Sequence, residues 1–225
     1  MQVNKELKEY INSNVIKEYE NFDEGHDVRH VMDVINRSLL YYEELKHNFD
    51  LNINMVYVIA AFHDVGMKIK REGHPKFSRE ILLADNNLKK WFSQSELETM
   101  AEACEDHSTS RNAEPRTIYG KIVSDADKDT DINVGLLRGW KFSEKHFPNL
   151  TFDERVDEVH AEIVKRFGDE SIGGKSLVKF YISSERNKEF LTMMALYAKD
   201  KLTYKNKMID LILNKKYKPK SKTGI

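Results

Sequence analysis

One cysteine, four prolines and ten glycines are all that 225 residues contain of these types, and each shortage removes a class of structure. A single thiol, Cys104, cannot close an internal disulfide or build a cysteine-rich zinc site, so its place in a helical-looking segment marks it as a small core residue. Glycine and proline stand at about half their average share, which argues against turn-rich sandwiches and barrels and against disorder. No apolar run approaches the ~18 residues of a membrane-spanning helix, so no membrane role is expected. A surplus of either charge is missing too. Thirty-six basic and 37 acidic residues leave a formal charge of −1, a poor footprint for a protein that wraps nucleic acid. The first residues carry no apolar stretch with a small-residue cleavage site, so the expected compartment is the cytoplasm.

What the sequence does contain is helical periodicity. Leu7, Tyr10, Ile11, Val15, Ile16 and Tyr19 recur by threes and fours and predict an amphipathic helix from Val3 to about Glu20. A second runs from about Asp27 to Lys46, with Val31, Val34, Ile35, Leu39, Tyr42 and Leu45 as its buried stripe. Met55 to Phe62 has no charge at all and reads as a central helix buried on every side. Weaker helical patterns cover 75–83, 94–106, 116–128, 132–146, 152–167 and about 185–213. Only Leu177 to Ile182 hints at period-two alternation, after a turn at Gly173-Gly174. The predicted fold class is all-α, a single multi-helix domain over 1–198 with a motif core at 25–131 and a helical extension at 132–198. Lysines accumulate from Lys199, so 199–225 reads as a helix end with a frayed basic tail.

His63 and Asp64 stand where the wholly apolar segment stops, at the edge of the deepest core. A carboxylate buried there needs a salt bridge, a hydrogen-bond network or a bound cation. Other residues suit a cation. His26 and His30 are four apart and would share a helix face with Asp33 and Arg37, away from the centre of the apolar stripe. Further on come His74, His107 after Asp106, and the acidic stretch 124–129. Imidazole and carboxylate without thiolate suit Mn, Fe, Co, Ni or Zn, with Mg less favoured. His47, His146 and His160 fit none of this and are expected at the surface.

These residues resemble the HD-domain metal-dependent phosphohydrolases, whose pattern is a His, a His-Asp doublet on a central helix and a distant Asp. The likeness runs through His30-Val31-Met32-Asp33-Val34, Ala60-Ala61-Phe62-His63-Asp64-Val65-Gly66 and the segment Ile118 to Lys128. It extends to Gly25-His26-Asp27, the stretch Gly73 to Ser78, Glu105 to Ser108 and Pro115 to Lys121. The resemblance implies a metal site between central helices, with His30, His63, Asp64 and Asp127 as ligands. Asp127 is preferred to Asp125 because the family tends to place its last ligand before an Arg or Lys, here Lys128. His74 and His107 resemble accessory histidines that bind a second metal or contact phosphate. His26 either caps a helix with Asp27 or faces the site. One departure stands: the family commonly has Arg where this chain has Asp33, so that Arg's role does not transfer.

Two imidazoles and two carboxylates hold a divalent ion near net zero charge with coordination positions left for water and substrate. The implied activity is hydrolysis of a small phosphorylated metabolite, a nucleotide or other phosphomonoester, with His63 and Asp64 as the catalytic doublet. Asp64 can also accept a hydrogen bond from the attacking water. Lys128, Arg116 and Lys121 are candidate phosphate contacts beside the last ligand, with His26, His74 and His107. Two other readings fit the same residues: a di-iron oxygenase of HD type, and a non-catalytic nucleotide or phosphate sensor. The expected partner is the small-molecule substrate, and a homodimer is admitted.

Overall fold

A computed structural model of the chain describes residues 2–23, 25–108 and 113–213. Among them there is no strand, and the all-α expectation holds. The described chain divides into two compact units, one ending at Lys128 and the other starting at Asp129.

The first unit is organised around α3 (Ile53–Phe62), in which every residue except Asn54 is buried. The uncharged segment therefore forms the helix its composition predicts. It packs against α2 (Val28–Leu45), α5 (Gln94–Asp106) and α6 (Ile118–Asp127). Each fully buried Val, Ile or Phe of α3 contributes roughly 1.5–3 kcal/mol relative to exposure. Helix starts are set locally. Asp27 caps α2 by accepting from the His30 N–H at 3.0 Å, and Ser93 and Glu96 form a capping box on α5. The buried residues of α2 include Val31, Val34, Ile35 and Tyr42, as the stripe requires.

The amino-terminal helix is shorter than its periodicity predicts. α1 (Lys5–Asn14) stops at Val15, and Ile16–Asn21 continues as a 3₁₀ helix. The tighter winding changes the direction of the later side chains, and Tyr19 becomes fully buried. Between α3 and α4 (His74–Ala84) lies a short 3₁₀ turn, Val65–Lys68. Gly66 in that turn is essential by contact. A Cβ there would lie 2.2 Å from the His74 carbonyl oxygen and 2.5 Å from the Ser78 nitrogen.

The second unit holds α7 (Ile132–His146), α8 (Phe152–Phe167), α9 (Glu185–Lys199) and α10 (Lys201–Met208), ending in one π turn, Ile209–Leu213. Its core gathers Leu136, Trp140, Val156, Val159, Ile163, Phe190, Met194 and Tyr204. The helix predicted over 185–213 is interrupted at Asp200, whose side chain caps α10 through the Thr203 N–H. Leu177 to Ile182 is irregular rather than extended pairing: the Leu177 N–H bonds to the Arg166 carbonyl at the end of α8, so local bonds take the place of a ladder. His160 is half-buried, less exposed than expected. Its Nε2 lies 3.1 Å from the Tyr197 carbonyl and its ring 5.6 Å from Tyr204. The predicted basic tail lies, from 214 on, outside the described residues.

Candidate metal centre

Six side chains from five helices of the first unit converge, and each comes from a helix end. His30 lies in the first turn of α2, His63 follows the last residue of α3 and Asp64 follows it. His74 opens α4, His107 follows α5, and Asp127 closes α6. Such placement has a local cause. The last carbonyls of a helix lack intrahelical partners, and a histidine there can supply one from its own ring. His63 Nδ1 lies 2.7 Å from the Ala60 carbonyl and His107 Nδ1 2.6 Å from the Cys104 carbonyl. His74 repeats the arrangement with Arg71, at 2.9 Å. A carbonyl can only accept, so each Nδ1 carries the proton and each Nε2 turns inward.

The inward nitrogens form two groups joined by one carboxylate. His30 Nε2 and His63 Nε2 are 3.3 Å apart, and Asp64 Oδ2 is 3.5 and 3.2 Å from them. Asp127 Oδ1 closes this group at 3.2 Å from His30 and 3.8 Å from His63. On the other side, Asp64 Oδ1 lies 2.9 Å from His74 Nε2 and 3.3 Å from His107 Nε2, which are 3.3 Å from each other. His63 and Asp64 are buried, while Asp127 keeps 31% of its side chain exposed.

Neutral imidazoles with Nδ1 protonated present bare lone pairs at Nε2. Lone pairs facing one another and a carboxylate at about 3 Å repel, so the arrangement requires positive charge among them. A proton on the rings satisfies this, and so does a divalent cation. Without an ion, burial works against the charged ring of His30, but Asp127 and Asp64 overcome it and push its pKa up to about 9. His107 is likewise raised, its burial outweighed by Asp64. Asp64 is held well below the usual carboxylate range: burial opposes this, and His63, His107 and His30 prevail. Asp127 is lowered in the same way, burial being overcome chiefly by His30. Paired imidazoles with carboxylates and no thiolate are a donor set for a divalent transition ion. The groups His30, His63, Asp64 and Asp64, His74, His107 could each hold one.

The candidate phosphate contacts are placed differently. His74 and His107 belong to the inner cluster through Asp64. His26 precedes the cap of α2; its Nδ1 is 2.8 Å from Asp23 Oδ1 and its ring 5.8 Å, edge-on, from His30. The Lys128 ammonium turns back along α6 to the Ser124 carbonyl at 2.8 Å and Asp125 Oδ1 at 3.3 Å. Burial lowers its pKa against the pull of Asp125. Arg116 is held by Asp106 and Glu105 at 2.8 and 2.6 Å, with its backbone N–H on Asp106 as well. Lys121 is half-buried on α6 and has no ion pair among the described residues.

Three further residues hold the cluster, none of them assigned a role in the site from the sequence. The Arg37 Nε–H donates to the Ala126 carbonyl at 2.5 Å, beside Asp127. Ser78 Oγ donates to the His63 carbonyl at 2.7 Å and accepts from the Gly66 N–H at 2.9 Å. Tyr19 Oη contacts the backbone at Ala61 and Asp64. Ser78 lies in a motif stretch, but a buried tyrosine in an apolar stripe gives no sequence signal beyond packing.

Residues 28–130 match the family model of the HD domain. No curated protein matches the chain significantly. Among solved structures, the chain is similar to a predicted HD superfamily hydrolase from an uncultured Thermotogales bacterium. The two are 20% identical with a TM-score of 0.47, over 72% of this chain and 90% of that one.

Proposed function

Because residues 28–130 match the family model of the HD domain, we propose that the chain is a metal-dependent hydrolase and that it acts on a small phosphorylated metabolite, a nucleotide or other phosphomonoester. The observation that carries the reading is the pair of inward-facing imidazole sets bridged by Asp64. His30, His63, Asp64 and Asp127 would hold one divalent ion, and Asp64, His74 and His107 a second. Such ions lower the pKa of water and polarise a phosphoryl oxygen.

The chain's own residues then have separable tasks. The backbone bonds from Nδ1 of His63, His74 and His107 fix the tautomer and keep Nε2 as the donor atom. Asp64 brings the two donor groups to one place and can accept a hydrogen bond from the attacking water. Among the basic candidates, Lys121 is the one proposed to meet phosphate oxygens, since Arg116, Lys128 and His26 already serve carboxylates.

The same bridged arrangement suits a di-iron oxygenase, and one experiment separates the two. The purified protein is analysed for metal, loaded with Mn, Fe, Co, Ni or Zn in turn, and assayed for phosphate release from a panel of nucleotides and phosphomonoesters. Release that needs the metal and no redox cofactor supports hydrolysis. Oxygen consumption with Fe, and no phosphate from any ester, overturns it.

A further inference from the structure

We propose that Tyr19, in a segment preceding the matched HD domain, is a positioning residue of the metal centre and acts through the backbone of Asp64. The inference rests on Asp64 being a ligand to both ions.

The end of α3 is built by an exchange of partners. In a continuing helix, the Asp64 N–H would donate to the Ala60 carbonyl four residues back. That carbonyl accepts from the His63 ring instead, at 2.7 Å. The Asp64 N–H is given to Tyr19 Oη at 3.2 Å, and the same hydroxyl donates its proton to the Ala61 carbonyl at 2.9 Å. One hydroxyl thus uses both its donor and its acceptor capacity. Asp64 leaves the helical conformation at φ −108°, ψ 1°, and its carboxylate reaches both pairs of imidazoles. The tyrosine itself is fixed: its ring has no exposed surface and packs 5.0 Å from Phe22 and 6.4 Å from His63.

Removing this hydroxyl leaves the Asp64 N–H and the Ala61 carbonyl buried without that partner. The nearest remedy for the N–H is the Ala60 carbonyl, which would turn Asp64 toward helical geometry and compete with His63 Nδ1 for its acceptor. Both changes disturb the bridge: one moves the carboxylate, the other loosens the ring that sets the donor atom. A hydroxyl that only packed the core would lower stability and leave the metal affinity of the folded protein unchanged.

Tyr19→Phe isolates the hydroxyl. Wild type and variant are titrated with Co²⁺, following binding by calorimetry and the visible Co²⁺ absorption, with Tyr57→Phe as a control. Tyr57 is also buried, and its hydroxyl meets Asn12 Oδ1 at 3.1 Å. Tyr19→Phe is expected to raise the Co²⁺ Kd at least about tenfold, as loss of outer-shell support for a ligand does, and to alter the absorption bands. Tyr57→Phe is expected to keep the wild-type Kd and spectrum. A Kd for Tyr19→Phe within about twofold of wild type, with the same spectrum, overturns the proposal. If the metal-free variant is unfolded, the Co²⁺ concentration that refolds it is compared with that for Tyr57→Phe in urea at matched stability, and equal midpoints overturn it. Failure of wild type to bind Co²⁺ would instead overturn the metal-centre reading, and this proposal with it.

Discussion

Asp64 and His74 meet with a carboxylate oxygen 2.9 Å from a ring nitrogen, on the far side of the same carboxylate from His63. The 3₁₀ turn Val65–Lys68 between them reverses the chain so that the start of α4 returns to the end of α3. Asp64 therefore belongs to both donor groups, while His74 belongs to one.

This difference sets the expected metal stoichiometry. Wild type should bind two equivalents of a divalent transition ion, His74→Ala about one, and Asp64→Ala neither tightly. Elemental analysis after exhaustive dialysis measures it. Equal metal content in His74→Ala and Asp64→Ala would contradict the bridging role.

The histidines fix the direction of the pH response. In the metal-free protein His30 titrates at about 9 rather than at its ordinary 6.5. Its stabilising charge is fully present below 6.5 and is lost as pH rises through 9, at a cost on the order of 3 kcal/mol. Asp64 and Asp127 act oppositely: their lowered values contribute stability above the unfolded range near 4, which is lost in acid. Metal needs the deprotonated ring. Affinity should rise between pH 6.5 and 9 with release of a proton, seen as buffer-dependent heat in calorimetry. A pH-independent Kd across that window would exclude His30 as a ligand.

Lys128 follows a proposed ligand but is committed to Ser124 and Asp125, the latter fully buried. Lys128→Met should destabilise the fold by about 1–3 kcal/mol, the usual cost of removing a partner from a buried polar group. Its kcat/KM at matched metal content should change less than about twofold. A tenfold loss of kcat/KM with unchanged denaturation midpoint would show that the ammonium reaches substrate.

Gly66→Ala should be among the most damaging changes to the first unit. The added methyl meets backbone atoms of α4, at His74 and Ser78, and not the end of a flexible side chain. A loss of about 3 kcal/mol or more is expected, with metal capacity reduced at the His74 group. Wild-type stability by urea denaturation would mean that α4 can shift at no cost.

The fold was legible even over weaker periodicity where a capping side chain marks the start of a helix. The bounds 94–106, 132–146 and 152–167 coincide with α5, α7 and α8, each started by a capping side chain that the sequence displays. Misreadings came where local geometry changes without a change in hydrophobic spacing. Tyr19 stays in register with an amphipathic pattern, yet the chain has already tightened into a 3₁₀ helix at Ile16. Asp200 looks like one more polar residue until its carboxylate caps a new helix. At the centre, His63 and Asp64 announce themselves because two polar groups end an apolar run. Their bridging geometry was not legible, since it depends on a turn that Gly66, Ser78 and Tyr19 define together from three separate stretches.

Cys104 turns the burial of the first unit into something that can be timed. Its sulfur has no exposure, lies 3.7 Å from the Ile59 carbonyl, and burial raises its pKa far above the reactive range. A thiol-specific reagent therefore modifies the chain's one cysteine only after α5 parts from α3, so the rate of alkylation in native buffer is a clock for that opening. Any ion held by the folded centre slows the clock in proportion to its occupancy, which makes a single buried side chain a reporter of everything that closes around that centre.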